Sequence, residues 1–242
     1  MSTLSYEGIL LENNTPKDVN DHLSIEVPLE IQINGIPFST TMCSPSDLDH
    51  LVRGLLFSEG VTKKSTPITI DVTKDNNRHI HVANVNSDEH LNQPEEGSRQ
   101  LLSVTSCGIC GSTTFRKSKG NPLPFRTPLS NETVDHLFTQ MEELQSDFKQ
   151  SGGSHAALLT DIKGTILGFG QDIGRHNAVD KVVGSLIEQV KLEEAEVLWV
   201  SGRVSFEIVL KACRAGLPFL TAVSAPKTAT RPYTLSKQFQ KR

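Results

Sequence analysis

Two cysteines stand three residues apart in Ser106-Cys107-Gly108-Ile109-Cys110-Gly111. Thiols at that spacing can close a disulfide, share a metal ion, or act as a nucleophile and its partner. The flanking glycines let the backbone flex and let a second molecule approach closely. Arg116, Lys117 and Lys119 follow, and positive charge favours thiolate over thiol, which raises reactivity. A structural zinc site needs four ligands, whereas one CxxC brings two. The chain has no second CxxC and no HxxxH, so zinc would need Cys43, Cys213 or scattered histidines to complete it. A thioredoxin-like redox pair belongs on a helix N-terminus after a strand, and the text that follows here, GSTTFRKSKGNP, is poor helix material. A plain structural pair is the third alternative. Sulfur or thiol chemistry on a mobile loop is the reading the spacing favours.

A second group of candidates lies at Gly168-Phe169-Gly170-Gln171-Asp172-Ile173-Gly174-Arg175-His176-Asn177. This reads as a strand-to-helix turn. Its glycines and Arg175 suit an anion, because free backbone N–H groups, a helix dipole and a guanidinium converge there. The glycine spacing is not that of the dinucleotide fingerprint. Ser201-Gly202-Arg203-Val204-Ser205 repeats the theme before a helix containing Glu207. Both turns end strands and open helices of one α/β unit, so both are expected at one sheet edge, facing a shared crevice. The competing reading is a pair of tight connections in which Arg175 and Arg203 cap helices or pair with Asp172 and Glu207. His155-Ala156-Ala157 echoes the histidine–alanine–glutamate of zinc nucleoside deaminases, but the glutamate that would shuttle protons is missing and the cysteine pair precedes the histidine. Deaminase chemistry is not expected. Cys213, on an apolar helix face, and Cys43, at a strand end, read as packing residues.

Elements must position these groups. Residues 1–24 read as a polar strap. Ile25, Val27, Leu29, Ile31 and Ile33 alternate up to Asn34-Gly35, which predicts a β-hairpin continuing through Ile36 and Phe38. Leu48, Leu51, Val52, Leu55 and Leu56 follow helix spacing, with Ser46 and Asp49 as a capping box and Gly60 as a stop. Short strands are expected at 68–70 and 79–82, and a loop over 86–100. Val134–Leu144 predicts a helix, and 156–160 with 165–169 predict paired strands around Lys163-Gly164. Val179, Val182, Val183, Leu186, Ile187 and Val190 mark an amphipathic helix. Val197–Val200 and Pro218–Val223 read as strands flanking a helix that ends at Gly216. This order predicts an α/β layer architecture.

The chain has 242 residues and a formal net charge of −4, which argues against a non-specific nucleic-acid binder. The charge is uneven: seven basic residues and no acidic one follow Glu207. No signal-like start and no apolar run long enough for a membrane span is present. Four cysteines in a chain of this length do not read as a disulfide framework, so a reducing cytoplasm is expected.

The blocks Glu26–Gly35, Gly54–Gly60, Ser106–Gly111, Asp172–Lys181, Ser201–Glu207 and Ser224-Ala225-Pro226 together resemble the FdhD family of formate dehydrogenase accessory sulfurtransferases. The resemblance implies a carrier that takes sulfane sulfur from a cysteine desulfurase and hands it to the molybdenum or tungsten bis-(molybdopterin guanine dinucleotide) of formate dehydrogenase. It makes Cys107 the persulfide-bearing residue and Cys110 its partner, with no zinc. It also implies a homodimer; from charge, hydropathy and cysteine usage, no nucleic-acid or membrane partner is expected and the cytoplasm is the expected location. The expected layout is an α+β part over 1–102, a mobile CxxC loop over 103–128, and a cytidine-deaminase-like α/β/α part over 129–242. The cofactor's pyrophosphates suit Gly174, Arg175, His176, Asn177, Ser201, Gly202 and Arg203. After Pro226 the text KTATRPYTLSKQFQKR departs from the family pattern and reads as a divergent or truncated end. The alternative from another class is a non-catalytic chaperone that holds the cofactor or the apo-dehydrogenase, its cysteines merely structural.

Overall fold

The computed structural model describes residues 2–91, 102–103 and 129–224. The expected polar strap at the amino terminus is instead a β-hairpin. Strands β1 (Thr3–Glu12) and β2 (Thr15–Ser24) pair antiparallel along their whole length. The turn residues Asn13 and Asn14 have φ of 50° and 65°, a left-handed pair that asparagine tolerates and two-residue hairpins require. The apolar side chains of this hairpin, such as Leu4, Ile9 and Leu11, are exposed, so it lacks the one-sided alternation that marks a buried strand.

The second hairpin forms as expected. Strands β3 (Val27–Ile33) and β4 (Ile36–Cys43) flank Asn34-Gly35, both at positive φ. With β5 (Thr69–Asp75), β6 (Ile80–Asn86) and β7 (Leu102–Ser103) they make a five-stranded sheet in the order β5-β6-β3-β4-β7. Leu29, Ile31 and Ile33 point from this sheet into a core with Leu48, Leu51, Val52 and Leu56 of helix α1 (Leu48–Ser58). The expected capping box does not form. Asp47 takes the N-cap in a left-handed conformation and makes no side-chain capping bond.

The second sheet has the order β11-β10-β8-β9, from β8 (His155–Thr160), β9 (Ile166–Asp172), β10 (Val197–Arg203) and β11 (Phe219–Ser224). It is mixed, because β8 runs antiparallel to both β9 and β10 while β10 and β11 are parallel. Side-chain alternation separates its two faces. Ala157, Leu159, Leu198 and Val200 pack with helices α4 (Arg175–Glu188) and α5 (Phe206–Ala215). Ala156, Leu158, Val197 and Trp199 pack with Leu137 and Met141 of α2 (Asn131–Leu144). Trp199 is fully buried and donates its indole N–H to Thr160 Oγ1 at 3.0 Å. Helix α3 (Ser146–Ser151) meets the amino-terminal hairpin through Ser24 and Ser151, whose hydroxyls lie 2.6 Å apart.

Helices α1 and α4 cross at backbone contact. A Cβ at Gly54 would fall 1.9 Å from Asp180 O, and one at Gly184 would fall 2.0 Å from His50 O. Only glycine leaves room at this seam. Helix α4 stops at Glu188, short of the expected Val190, which has φ 58° and is 87% exposed. No helix of the described residues is long and apolar enough to cross a membrane.

Candidate functional site

Because β8 lies between β9 and β10 and opposes both, the carboxyl ends of β9 and β10 meet the start of β8 at one edge. His155 is the register partner of Asp172, and Ala156 N donates to Ser201 Oγ at 2.9 Å. A Cβ on Gly202 would lie 3.3 Å from Arg175 Cβ and 3.4 Å from His155 Nδ1, so the two turns touch. His176 bridges them again: its Nε2 lies 2.8 Å from Ser205 Oγ and 3.9 Å from a Glu207 oxygen. The shared edge expected from the sequence is present, on a mixed sheet instead of a parallel one.

Arg175 opens α4 and is only 9% exposed, yet its Nε has no hydrogen-bond partner among the described residues. Neither Arg175 nor the exposed Arg203 forms an ion pair among the described residues. Asp172 and Glu207, the carboxylates nearest in sequence to the two arginines, lie against other groups. Asp172 Oδ2 pairs with Lys181 Nζ at 2.7 Å and accepts from Ser44 N at 3.0 Å. Its Oδ1 accepts from Gly174 N at 2.8 Å and Asn177 Nδ2 at 2.9 Å. Glu207 lies beside His176. The result is an edge with two arginines and, among the described residues, no carboxylate bound to either. Burial first, then the charges of Arg175 and Arg203, hold the His155 imidazole below the ordinary histidine range, with Asp172 opposing.

The seven anion-site candidates therefore divide. Arg175, His176, Gly202 and Arg203 come together at the edge. Gly174 and Asn177 turn inward to Asp172, and Asn177 Nδ2 also donates to Met42 O at 2.9 Å. The Ser201 hydroxyl is committed to β8. Sequence reasoning missed Asp172 as a hub, Lys181 and Ser44 as its partners, and His155 as part of the edge. It also missed the buried Asp180–Lys211 pair, 2.7 Å apart, to which Ser58 Oγ adds a hydrogen bond at 2.8 Å. Burial raises the Asp180 carboxyl, while Lys211 and Ser58 oppose it. No local spacing links such residues; the fold alone brings them together.

Cys107 and Cys110 lie outside the described residues. Cys43 is fully buried, and burial followed by the Asp172 charge pushes its thiol up to about 12. Burial likewise raises Cys213, which packs against the core beneath α5. Both remain thiols at neutral pH, as suits packing residues.

The fold and its edge define a mixed α/β protein of several sheets and five described helices whose strand ends converge on two arginines. The chain matches the FdhD/NarQ family over residues 24–232 and belongs to that family. It is 34% identical over 220 residues to the sulfur carrier protein FdhD of Mycobacterium tuberculosis, covering 85% of this chain and 80% of that one. The protein of the same name from Nocardia farcinica is 39% identical over 219 residues, covering 86% and 77%. A solved structure from Desulfotalea psychrophila, described as a formate dehydrogenase accessory protein, superposes with a TM-score of 0.71. It shares 21% identity and spans 95% of this chain and 86% of its own, which establishes a common fold.

Proposed function

We propose that this protein is a sulfur carrier that accepts sulfane sulfur from a cysteine desulfurase on Cys107 and delivers it to the bis-(molybdopterin guanine dinucleotide) of a formate dehydrogenase. Family membership, with relatives named as sulfur carriers and a structural neighbour described as a formate dehydrogenase accessory protein, supports the sulfur half. The observation that carries the cofactor half is Arg175, a buried guanidinium with an unpartnered Nε at a helix start, beside Arg203. A pyrophosphate is the group that such an edge suits, since each charge-assisted contact is worth about 1.5–3 kcal/mol.

In this reading the Cys107 thiolate attacks the outer sulfur of the desulfurase persulfide. A new S–S bond forms on Cys107, the donor S–S bond breaks, and the donor cysteine leaves as a thiolate. Cys110 shields or resolves the product. Burial raises the thiols of Cys43 and Cys213, which fits a division in which the CxxC pair does the chemistry. A homodimer in the cytoplasm, a division at 1–102, 103–128 and 129–242, and a deaminase-like second part that binds no zinc complete the reading. The packing of helices on both faces of the four-stranded sheet supports that last likeness.

The test is reconstitution of an inactive, unsulfurated formate dehydrogenase with desulfurase, cysteine and this protein. Activity should appear with wild type and fail with Cys107→Ala. Equal activation by both would leave the chain a cofactor-holding chaperone.

A further inference from the structure

His155 is not accounted for by the sulfur chemistry or by packing alone. It begins β8 at the edge where the two arginine turns meet, half-buried. Its Nδ1 lies 3.4 Å from the point where a Gly202 side chain would begin, and the same point is 3.3 Å from Arg175 Cβ. Gly202 therefore leaves the imidazole and the Arg175 side chain adjacent. Resting on the reading of this edge as a pyrophosphate site, we propose that His155 is a third anion-binding side chain there and takes up a proton as the anion enters.

The groups that face it set the direction. Arg203 comes from β10, Arg175 and His176 from α4, and Asp172 from β9; Glu207 on α5 approaches His176. Burial is the largest influence; with Asp172 bound to Lys181, the two arginines outweigh it and add to the lowering, which disfavours the imidazolium in the free protein. An anion between the arginines cancels their charge and adds its own, which favours the imidazolium. The new N–H⁺ then becomes a donor to the ligand. Proton uptake makes binding tighten as pH falls, by at most about tenfold per pH unit for one linked proton.

The test needs a ligand that does not titrate itself. A terminal phosphate does, near pH 6, so the probe is GDP-mannose, whose pyrophosphate is a diester with a fixed charge. Calorimetry on the full chain at pH 6, 7 and 8, in buffers of different ionisation heat, counts protons taken up. Wild type should gain about threefold or more in affinity from pH 8 to pH 6, with net proton uptake. His155→Gln should bind with a flat profile and no uptake, while His176→Gln should keep the linkage. Binding without uptake in wild type, or uptake that survives His155→Gln, overturns the proposal and leaves the pyrophosphate site standing. No binding by wild type at any of these pH values overturns the site itself, and the proposal with it.

Discussion

Lys181 and Arg175 sit on one helix, both buried, at 2% and 9% exposure, yet their surroundings are opposite. Lys181 is bound to Asp172 and donates to the carbonyls of Ser44 and Gln171. Lys211 is likewise matched to Asp180, with Ser58 adding a bond. Arg175 has no carboxylate partner among the described residues and an orphaned Nε. A buried charge left uncompensated costs stability, and among the described residues Arg175 is the buried cation without a carboxylate, beside two matched pairs; under the proposed function a ligand supplies the counter-charge. One stretch of α4 ties the two cores together, and the other presents charge.

That contrast can be broken by mutation. Lys181→Met leaves Asp172 buried with no counter-charge, and the expected loss is about 3–5 kcal/mol in urea denaturation. Arg175→Ala removes a charge with no carboxylate partner among the described residues, so its cost should stay near 1 kcal/mol or even reverse in sign. A loss as large as that of Lys181→Met would show that Arg175 is a structural cation after all. Binding should sort the pair the other way. Guanosine diphosphate affinity, measured by calorimetry, should fall about tenfold or more in Arg175→Ala. The exposed Arg203→Ala should lose less, and unchanged affinity in both variants would reject the shared site.

The smallest effect is in pH. Burial depresses both His155, beside the arginines, and His81, on β6 with Lys74 contributing. A histidine with a lowered folded-state pKa binds fewer protons folded than unfolded. Its contribution is complete above the unfolded value, about 6.5, and is lost as pH falls through the folded one. Stability of the ligand-free protein should therefore decline as pH drops below that value. His155→Gln should make the decline shallower, and an identical slope in the variant would remove His155 from the account.

Much of this frame was legible in the sequence where local chemistry decides. Asn34-Gly35 forces a turn, the apolar alternation of β3 forces a buried face, and Gly60 and Gly216 end helices at positive φ. The amino-terminal hairpin was not legible, because its apolar residues are exposed and its asparagine turn has no glycine. The shared edge was legible from the direction of two strand–helix turns, and the β8–β9 pairing from Lys163-Gly164, although the place of β8 between β9 and β10, antiparallel to both, was not foreseen. Which candidates face out and which turn in was hidden. That depends on Asp172, whose partner Ser44 stands 128 residues away.

Cys107 is proposed to carry the sulfur. The most direct measurement is mass spectrometry of the peptide bearing Cys107 and Cys110 after incubation with a cysteine desulfurase and cysteine. The peptide should gain about 32 Da, one sulfur atom, reversibly by a thiol reductant. Cys107→Ala should abolish the gain, and Cys110→Ala should retain it. An unmodified wild-type peptide, or equal loading of Cys107→Ala, would contradict the account.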